Sequence, residues 1–495
     1  MEVKKTGHPS GLYTLFATEF WERFSYYGMR ALLVLYLTAT FADGGFGMER
    51  SAALEIYAIF TGLVYLTPIL GGLLADKYLG QRKAIFIGGI VMAVGQFTLA
   101  ASVSYGAEGN LEMREFLLYS GLGFLILGNG FFKPNISTMV GGLYDQDDPR
   151  KDSAFTIFYM GINSGAFLAP FIAGGLGEKI GWHWGYISAG TGMLLSLIWF
   201  YARRVSLKNV GLPPNNEESK LSLVFKDLLD IIYYSVACIL VISGIIKLLD
   251  ILNESTVDAI SLAAVIAGSL YVAWTIFKGT NGKTEWTRVG AILILAIFHV
   301  VFWSGFEQAG GTFNLFALEN TNRLVFGWEM PASYFQALNP VFIVTLGIPF
   351  SMLWIWLAKK GNNPRTPYKF GLGLILVGVG FLLMIVAQGN ADQGIMVSPL
   401  WLMGVYFMHT AGELCISPVG LSLITKLAPQ KIVSVMMGLW MGSIALGNYL
   451  AGTLEKILES FDFELYPFLA AESIGAGVII IIIGPLLVKM MKGIH

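Results

Sequence analysis

Charge is what this chain has least of. Asp, Glu, Lys and Arg make up 13% of its 495 residues, about half the share usual in soluble domains, which excludes an ordinary soluble globular protein. Cysteine is scarce too, with Cys238 and Cys415 the whole complement. Both lie in apolar segments with no Cys–His cluster nearby, so neither a disulfide framework nor a zinc site is expected. The formal net charge of −1 carries no message about nucleic acid. The polar first ten residues, followed by an apolar stretch holding Glu19 and Arg23, do not resemble a cleavable signal. What is abundant is apolar sequence, 55% hydrophobic and 14% aromatic. LLVLYL, AIFIGGIVMAVGQFTLAASV and SIGAGVIIIIIGPLLV read as membrane spans, which need about 20 predominantly apolar residues.

Hydropathy and turn signals place spans near 12–41, 53–74, 82–104, 115–140, 153–177 and 182–202. A polar link, RRVSLKNVGLPPNNEESK, covers 203–220, and two spans follow near 223–249 and 257–278. Six more lie near 287–318, 333–358, 368–388, 397–428, 431–456 and 466–491. The expectation is an all-α membrane protein of fourteen transmembrane helices. An N-terminal six-helix bundle occupies 1–202, a linker with two extra helices 203–286, and a C-terminal six-helix bundle 287–495. The extra pair carries no charge that can be placed in a cavity and reads as peripheral. Of the 32 Lys and Arg, six fall on the outer side: Arg50, Arg114, Lys179, Lys247, Arg323 and Lys456. Arg23, Arg30 and Lys133 fall inside the membrane and the rest on the other side, which puts both termini in the cytoplasm.

The two halves echo each other. FWERF (20–24) in the first span resembles FWSGF (302–306) in the seventh of the twelve bundle spans, and YMG (159–161) resembles WMG (440–442). Pro134 and Pro418 fall in the fourth and tenth spans and are expected to interrupt them. Internal repeats of this kind build many transporters, with substrate bound at the midplane. The loop GGLLADKYLGQRKA (71–84) resembles the signature of the major facilitator superfamily, with Asp76 at a helix end and Arg82 and Lys83 at the inner surface. A cytoplasmic turn obeying the positive-inside rule explains the basic residues but not the placed Asp and glycines.

Four charges stand in the first span, in EFWERFSYYGMR (19–30). At about 100° per residue, Glu19, Glu22, Arg23, Tyr26, Tyr27 and Arg30 share an arc of about 140°, with Phe20, Phe24, Ala31 and Leu32 opposite. Lys133, Glu307 and Glu413 complete the ionisable groups read as buried. At about 3 kcal/mol each, seven isolated charges would cost on the order of 20 kcal/mol, so they pair or line a wet cavity. Glu19 and Arg23, at i and i+4, also suit a structural ion pair. Lys133, Glu307 and Glu413 stand on three helices beside Pro134, Gly310–Gly311 and Pro418, and there a functional cavity is the reading. A buried Glu that alternates between a cationic partner and solitude takes up and releases a proton, and such acids mark proton relays. Cations on one half and an acid on the other suit a zwitterion.

Glu19-Phe-Trp-Glu22-Arg23-Phe24 followed by Tyr26-Tyr27-Gly28 resembles the hallmark of the proton-dependent oligopeptide transporter (POT) family, prokaryotic type. GNGFFKPNISTMVG (128–141) resembles its second signature, and YLTPILGG (65–72), FYMGINSGAFLAP (158–170), FWSGFEQAG (302–310) and GELCISPVG (412–420) extend the likeness over nearly the whole chain. The resemblance implies roles. Glu19, Glu22, Arg23 and Glu307 would handle protons, Glu307 also bridging to Arg30. Arg30 and Lys133 would take the peptide carboxylate, with Lys133 pairing to Glu22. Glu413 would take the amine, assisted by Asn163 and Asn339. Tyr26, Tyr27, Tyr65, Trp303, Ser417 and Trp440 would wall the pocket. Animal members carry a His in the second span where this chain has IYAIF and Ala58, so coupling here would not use it. His299 and His409 read as packing residues.

The implied function is proton-coupled symport of di- and tripeptides by alternating access, in the inner cell membrane, by a monomer. The partners are peptides, protons and membrane lipid, with no nucleic acid, no metal, no cofactor beyond the coupling proton and no enzymatic reaction. The alternatives are a family relative carrying nitrate or another small anion, in which Glu413 would lack a purpose, a membrane-embedded enzyme, for which no nucleophile–base pair or metal motif is visible, and a peptide receptor, which has no use for proton-carrying acids.

Overall fold

The structure, a computed structural model, describes residues 7–105, 111–145, 148–213, 220–251 and 254–492. It is built almost wholly of helices. α1 (Ser10–Thr38), α2 (Arg50–Leu74), α3 (Gln81–Ser104) and α4 (Leu111–Gly142) are followed by α5 (Lys151–Ala169), which continues through a π turn, Pro170–Gly174, into α6 (Gly175–Lys179). Next come α7 (Trp182–Arg203), α8 (Lys220–Ile251), α9 (Glu254–Gly279) and α10 (Gly282–Phe306). A 3₁₀ turn, Glu307–Gly310, then separates α10 from α11 (Thr312–Glu319). The remainder is α12 (Leu338–Lys359), α13 (Thr366–Ala391), α14 (Pro399–Leu427), α15 (Val433–Glu459), α16 (Leu465–Ile482) and α17 (Gly484–Met490). A two-residue hairpin pairs β1 (Leu324–Val325) with β2 (Trp328–Glu329).

Among the described residues, eleven helical segments are long and apolar enough to cross a membrane. α1, α9 and α14 are not among them, so length and composition alone do not reach fourteen crossings. For α1 the reason is its charged and phenolic face, which lowers its hydropathy.

The chain divides into two compact units, one of residues 1–48 and 63–250, the other of 49–62 and 251–495. These limits differ from the expected bundle boundaries in two places. The first half of α2 belongs to unit 2 because it is tied there: Arg50 pairs with Glu455 at 2.8 Å and Glu319 at 3.1 Å, and Lys456 with Glu55 at 2.9 Å. The inserted pair divides as well. α8 sits on unit 1, where Lys83 bonds Asp230 at 2.8 Å and Ile242 packs at Gly123, while α9 runs in unit 2 to Gly279, against Ile432.

Within each unit the helices close on one another at small residues, as membrane helices do. A Cβ on Gly88 of α3 would lie 2.5 Å from the Gly128 carbonyl of α4, and one on Gly373 of α13 would lie 2.8 Å from the Gly412 carbonyl of α14. The sequence echoes are partners in the fold. The FWERF helix packs on the YMG helix in unit 1 (α1 on α5), and the FWSGF helix packs on the WMG helix in unit 2 (α10 on α15).

Two expected interruptions are absent. α4 runs unbroken past Pro134, and α14 runs unbroken from Pro399 to Leu427 through Pro418. Around Pro134 side chains bond the backbone: Asn135 Nδ2 donates to the Phe131 carbonyl at 2.7 Å and Thr138 Oγ1 to the Pro134 carbonyl at 2.8 Å. Such bonds let a membrane helix tolerate proline. The break at Gly310–Gly311 is real.

The link after α7 is docked rather than free over its described part. Arg82 donates from Nε to the Val210 carbonyl at 2.8 Å and from Nη2 to the Lys208 carbonyl, and its backbone N–H bonds Gly211. Gly80, at φ +73°, passes so close that a Cβ would lie 2.7 Å from Pro213 N. Asp76 is exposed in the π turn that ends α2. Residues 214–219 of the link lie outside the described residues.

Candidate functional site

α1 is held from three sides of unit 1. On α5, Gly165 approaches so near that a Cβ would lie 2.2 Å from the Phe20 carbonyl. From α7, Ser196 Oγ donates to the Thr18 carbonyl at 2.7 Å, and from α3, Gln96 Nε2 donates to the Ser25 carbonyl at 3.1 Å. Glu19, Glu22, Arg23, Tyr26 and Arg30 are consequently buried, and the polar face of α1 is enclosed.

Arg23 meets both acids of its own helix. Arg23 Nε donates to Glu22 Oε2, Nη2 donates to Glu22 Oε1 at 2.7 Å, and Nε lies 3.2 Å from Glu19 Oε1. One guanidinium thus serves two carboxylates. The expected Lys133–Glu22 pairing meets a Glu22 whose two oxygens both accept from Arg23. The second oxygen of Glu19 is buried with no hydrogen-bond partner among the described residues, and Lys133 of α4 acts on Glu19 electrostatically. The phenols supply π faces to the cations: Tyr26 to Arg23 at 5.2 Å, Tyr27 to Arg30 at 5.7 Å and Tyr65 to Lys133 at 4.3 Å. Asn163 is buried and donates to its own helix, at the Tyr159 carbonyl, 2.9 Å away.

In unit 2 the carboxylates are held differently. Asn339 Nδ2 donates to Glu413 Oε2 at 2.9 Å and to Thr410 Oγ1 at 3.1 Å. Thr410 spends its own proton on the Tyr406 carbonyl at 2.7 Å and so accepts from Asn339, aiming the amide at the carboxylate. Glu307 is buried in the 3₁₀ turn and acts on Glu413 electrostatically. Ser417 Oγ is buried without a partner among the described residues, Trp303 is half-buried and Trp440 fully buried.

Three features went unread in the sequence. Gln308 staples the break beside Glu307: its Nε2 donates to the Ser304 carbonyl at 3.1 Å and the Ala451 carbonyl at 2.9 Å, and its Oε1 accepts from Thr312 at 2.7 Å. An amide next to Glu307 at a Gly–Gly break was the available signal. Glu472, in the last long apolar helix, has a buried oxygen with no partner among the described residues, and its signal was an acid inside a span. His299 carries two side-chain hydrogen bonds beyond its packing. Ala58 shows why the second span holds no imidazole: a Cβ on Gly452 of α15 would lie 2.7 Å from the Ala58 Cβ.

Comparison with known proteins gives the family. The family model described as the POT family matches residues 82–473. A peptide transporter of Yersinia enterocolitica, YePEPT, is 37% identical over 97% of this chain and 95% of its own length. A di-/tripeptide transporter of Lactococcus lactis subsp. cremoris is 35% identical over 99% of this chain and 98% of its own. A crystal structure of a POT peptide transporter in complex with sulfate superposes with a TM-score of 0.83 at 35% identity, covering 99% of this chain and 98% of that one. The chain is therefore a member of the proton-dependent oligopeptide transporter family, of the prokaryotic type, with the major facilitator fold.

Proposed function

We propose that this protein imports di- and tripeptides together with protons. Its two bundles, 1–202 and 287–495, alternate access to the substrate, the inserted pair within 203–286 standing outside the transport path. It works in the inner membrane as a monomer with both termini in the cytoplasm, embedded in lipid, and it is not an enzyme.

The observation that carries the reading is the division of charge. In unit 1, Glu19 and Glu22 share Arg23, and Arg30 and Lys133, the cations that meet the π faces of Tyr27 and Tyr65, are assigned to the peptide carboxylate. In unit 2, Glu413 accepts a hydrogen bond from the neutral Asn339 amide and is assigned to the peptide amine. Recognition of the two termini leaves side chains to the aromatic walls, which accounts for breadth among short peptides. Glu307 carries the coupling proton, and its charge state decides whether Arg30 is available to the peptide.

At about 100 mV and one pH unit, one proton supplies roughly 2.3 plus 1.4, or about 3.7 kcal/mol. That sustains an accumulation of about 500-fold for a neutral peptide. The experiment is uptake of labelled dialanine into liposomes under an inward proton gradient. Uptake should collapse when an uncoupler removes the gradient, and uptake indifferent to the uncoupler would end the symport reading.

A further inference from the structure

His299 lies on α10, buried to 3% exposure, among residues of unit 2 that carry no charge. Trp303 Nε1 donates to its Nε2 at 2.7 Å, and its Nδ1 lies 2.8 Å from Ser443 Oγ. Ser443 Oγ donates its proton to the Trp440 carbonyl at 2.6 Å. The proton assignments follow in sequence. An indole N–H only donates, so Nε2 is the bare nitrogen. The serine proton is already spent, so Nδ1 carries the hydrogen and donates it. The imidazole is thereby a neutral tautomer with both nitrogens satisfied. Its ring stacks on Trp440, centroids 4.1 Å apart and planes 19° from parallel, with Phe370 tilted against the imidazole and edge-on to the indole. The opposite constraint on Trp440 comes from α14, where a Cβ on Gly420 would lie 2.6 Å from the indole.

We infer that His299 is a positioning residue for the aromatic wall and that it selects peptides with apolar side chains. Trp303 has a single polar atom, and His299 consumes it. The half-buried indole is left with only carbon surface to offer a ligand, while the stack on Trp440 fixes the ring that does so. A wall with no donor favours aliphatic and aromatic side chains over carboxylate and amide ones, whose oxygens would go unpaired against it. The inference rests on the peptide-transport reading for what the wall meets. The hydrogen-bond relay itself does not.

Buried histidines in proton-driven carriers also invite a second role, that of proton carrier. The groups facing this ring are Trp303, Trp440, Phe370 and Ser443, none of them charged, and a second proton could enter only at Nε2, by breaking the Trp303 bond.

The test uses the full-length protein in liposomes, with Ala-Ala, Phe-Ala and Glu-Ala as probes. His299→Phe keeps a ring but loses both hydrogen bonds, and should raise KM for Phe-Ala about tenfold more than for Glu-Ala with kcat held. His299→Gln restores an acceptor for Trp303 and should return the KM ratio to within about twofold of the original, with the midpoint of the uptake-versus-pH profile unmoved. An unchanged ratio in His299→Phe, a His299→Gln no better than Phe, or a displaced pH midpoint would each overturn the assignment. Should His299→Phe fail to fold, Trp303→Phe removes the donor instead. ¹⁵N-histidine spectra, read without transport, should then show the His299 Nε2 signal move while Nδ1 stays protonated from about pH 5 to pH 8. An Nε2 signal indifferent to Trp303→Phe contradicts the relay even if no peptide is carried. A failure of uptake with the relay intact strikes the transport reading alone.

Discussion

In unit 1 the buried carboxylates Glu19 and Glu22 share the guanidinium of Arg23 on their own helix, whereas in unit 2 Glu413 meets a neutral amide delivered from α12. The first arrangement pairs charge locally, one cation between two acids. Neighbouring helices add the field of Lys133 on Glu19 and a close fit, which α5 and α7 supply by packing glycine and serine against α1. The second orients Glu413 through the neutral Asn339 amide, itself aimed by Thr410. A trio of two acids on one guanidinium, held within one helix, is fit for moving a proton among its members. A carboxylate steadied by Asn339 and Thr410 is fit for a cation that comes and goes.

That contrast breaks most visibly at Arg23. Arg23→Met leaves two acids buried without their cation, and removing one partner of a buried pair costs about 3–5 kcal/mol. The variant should lose that stability at neutral pH in detergent, and an unchanged Tm would mean that the trio is solvated. Glu413→Gln should leave the fold intact and weaken peptides with a free amine at least tenfold, N-acetylated peptides much less. Equal loss for both would make Glu413 structural. Asn339→Leu removes one hydrogen bond to a charged group, worth about 1.5–3 kcal/mol. It should weaken the same free-amine peptides by less than Glu413→Gln does. A larger loss would show that the amide itself contacts substrate.

Much of this was legible in the residues, because the signals are local. Long apolar runs set the helices, the arc of Glu19 to Arg30 lies on one helix, and the Gly310–Gly311 break stands beside the buried Glu307. What was not legible depends on how one helix is rotated against another. Pro134 reads as a breaker until Asn135 and Thr138 are seen bonding the backbone around it. His299 reads as packing because Trp303 is one turn away on the same helix but Ser443 and Trp440 arrive from α15. The first half of α2 reads as part of the N-terminal bundle because its partners Glu319 and Glu455 lie far along the chain.

The central claim is that Glu307 carries the coupling proton that drives accumulation. Glu307→Gln cannot load or unload a proton, so in liposomes it should exchange labelled for unlabelled dialanine across the membrane yet accumulate none under an imposed proton gradient. Full gradient-driven accumulation by Glu307→Gln would contradict the account.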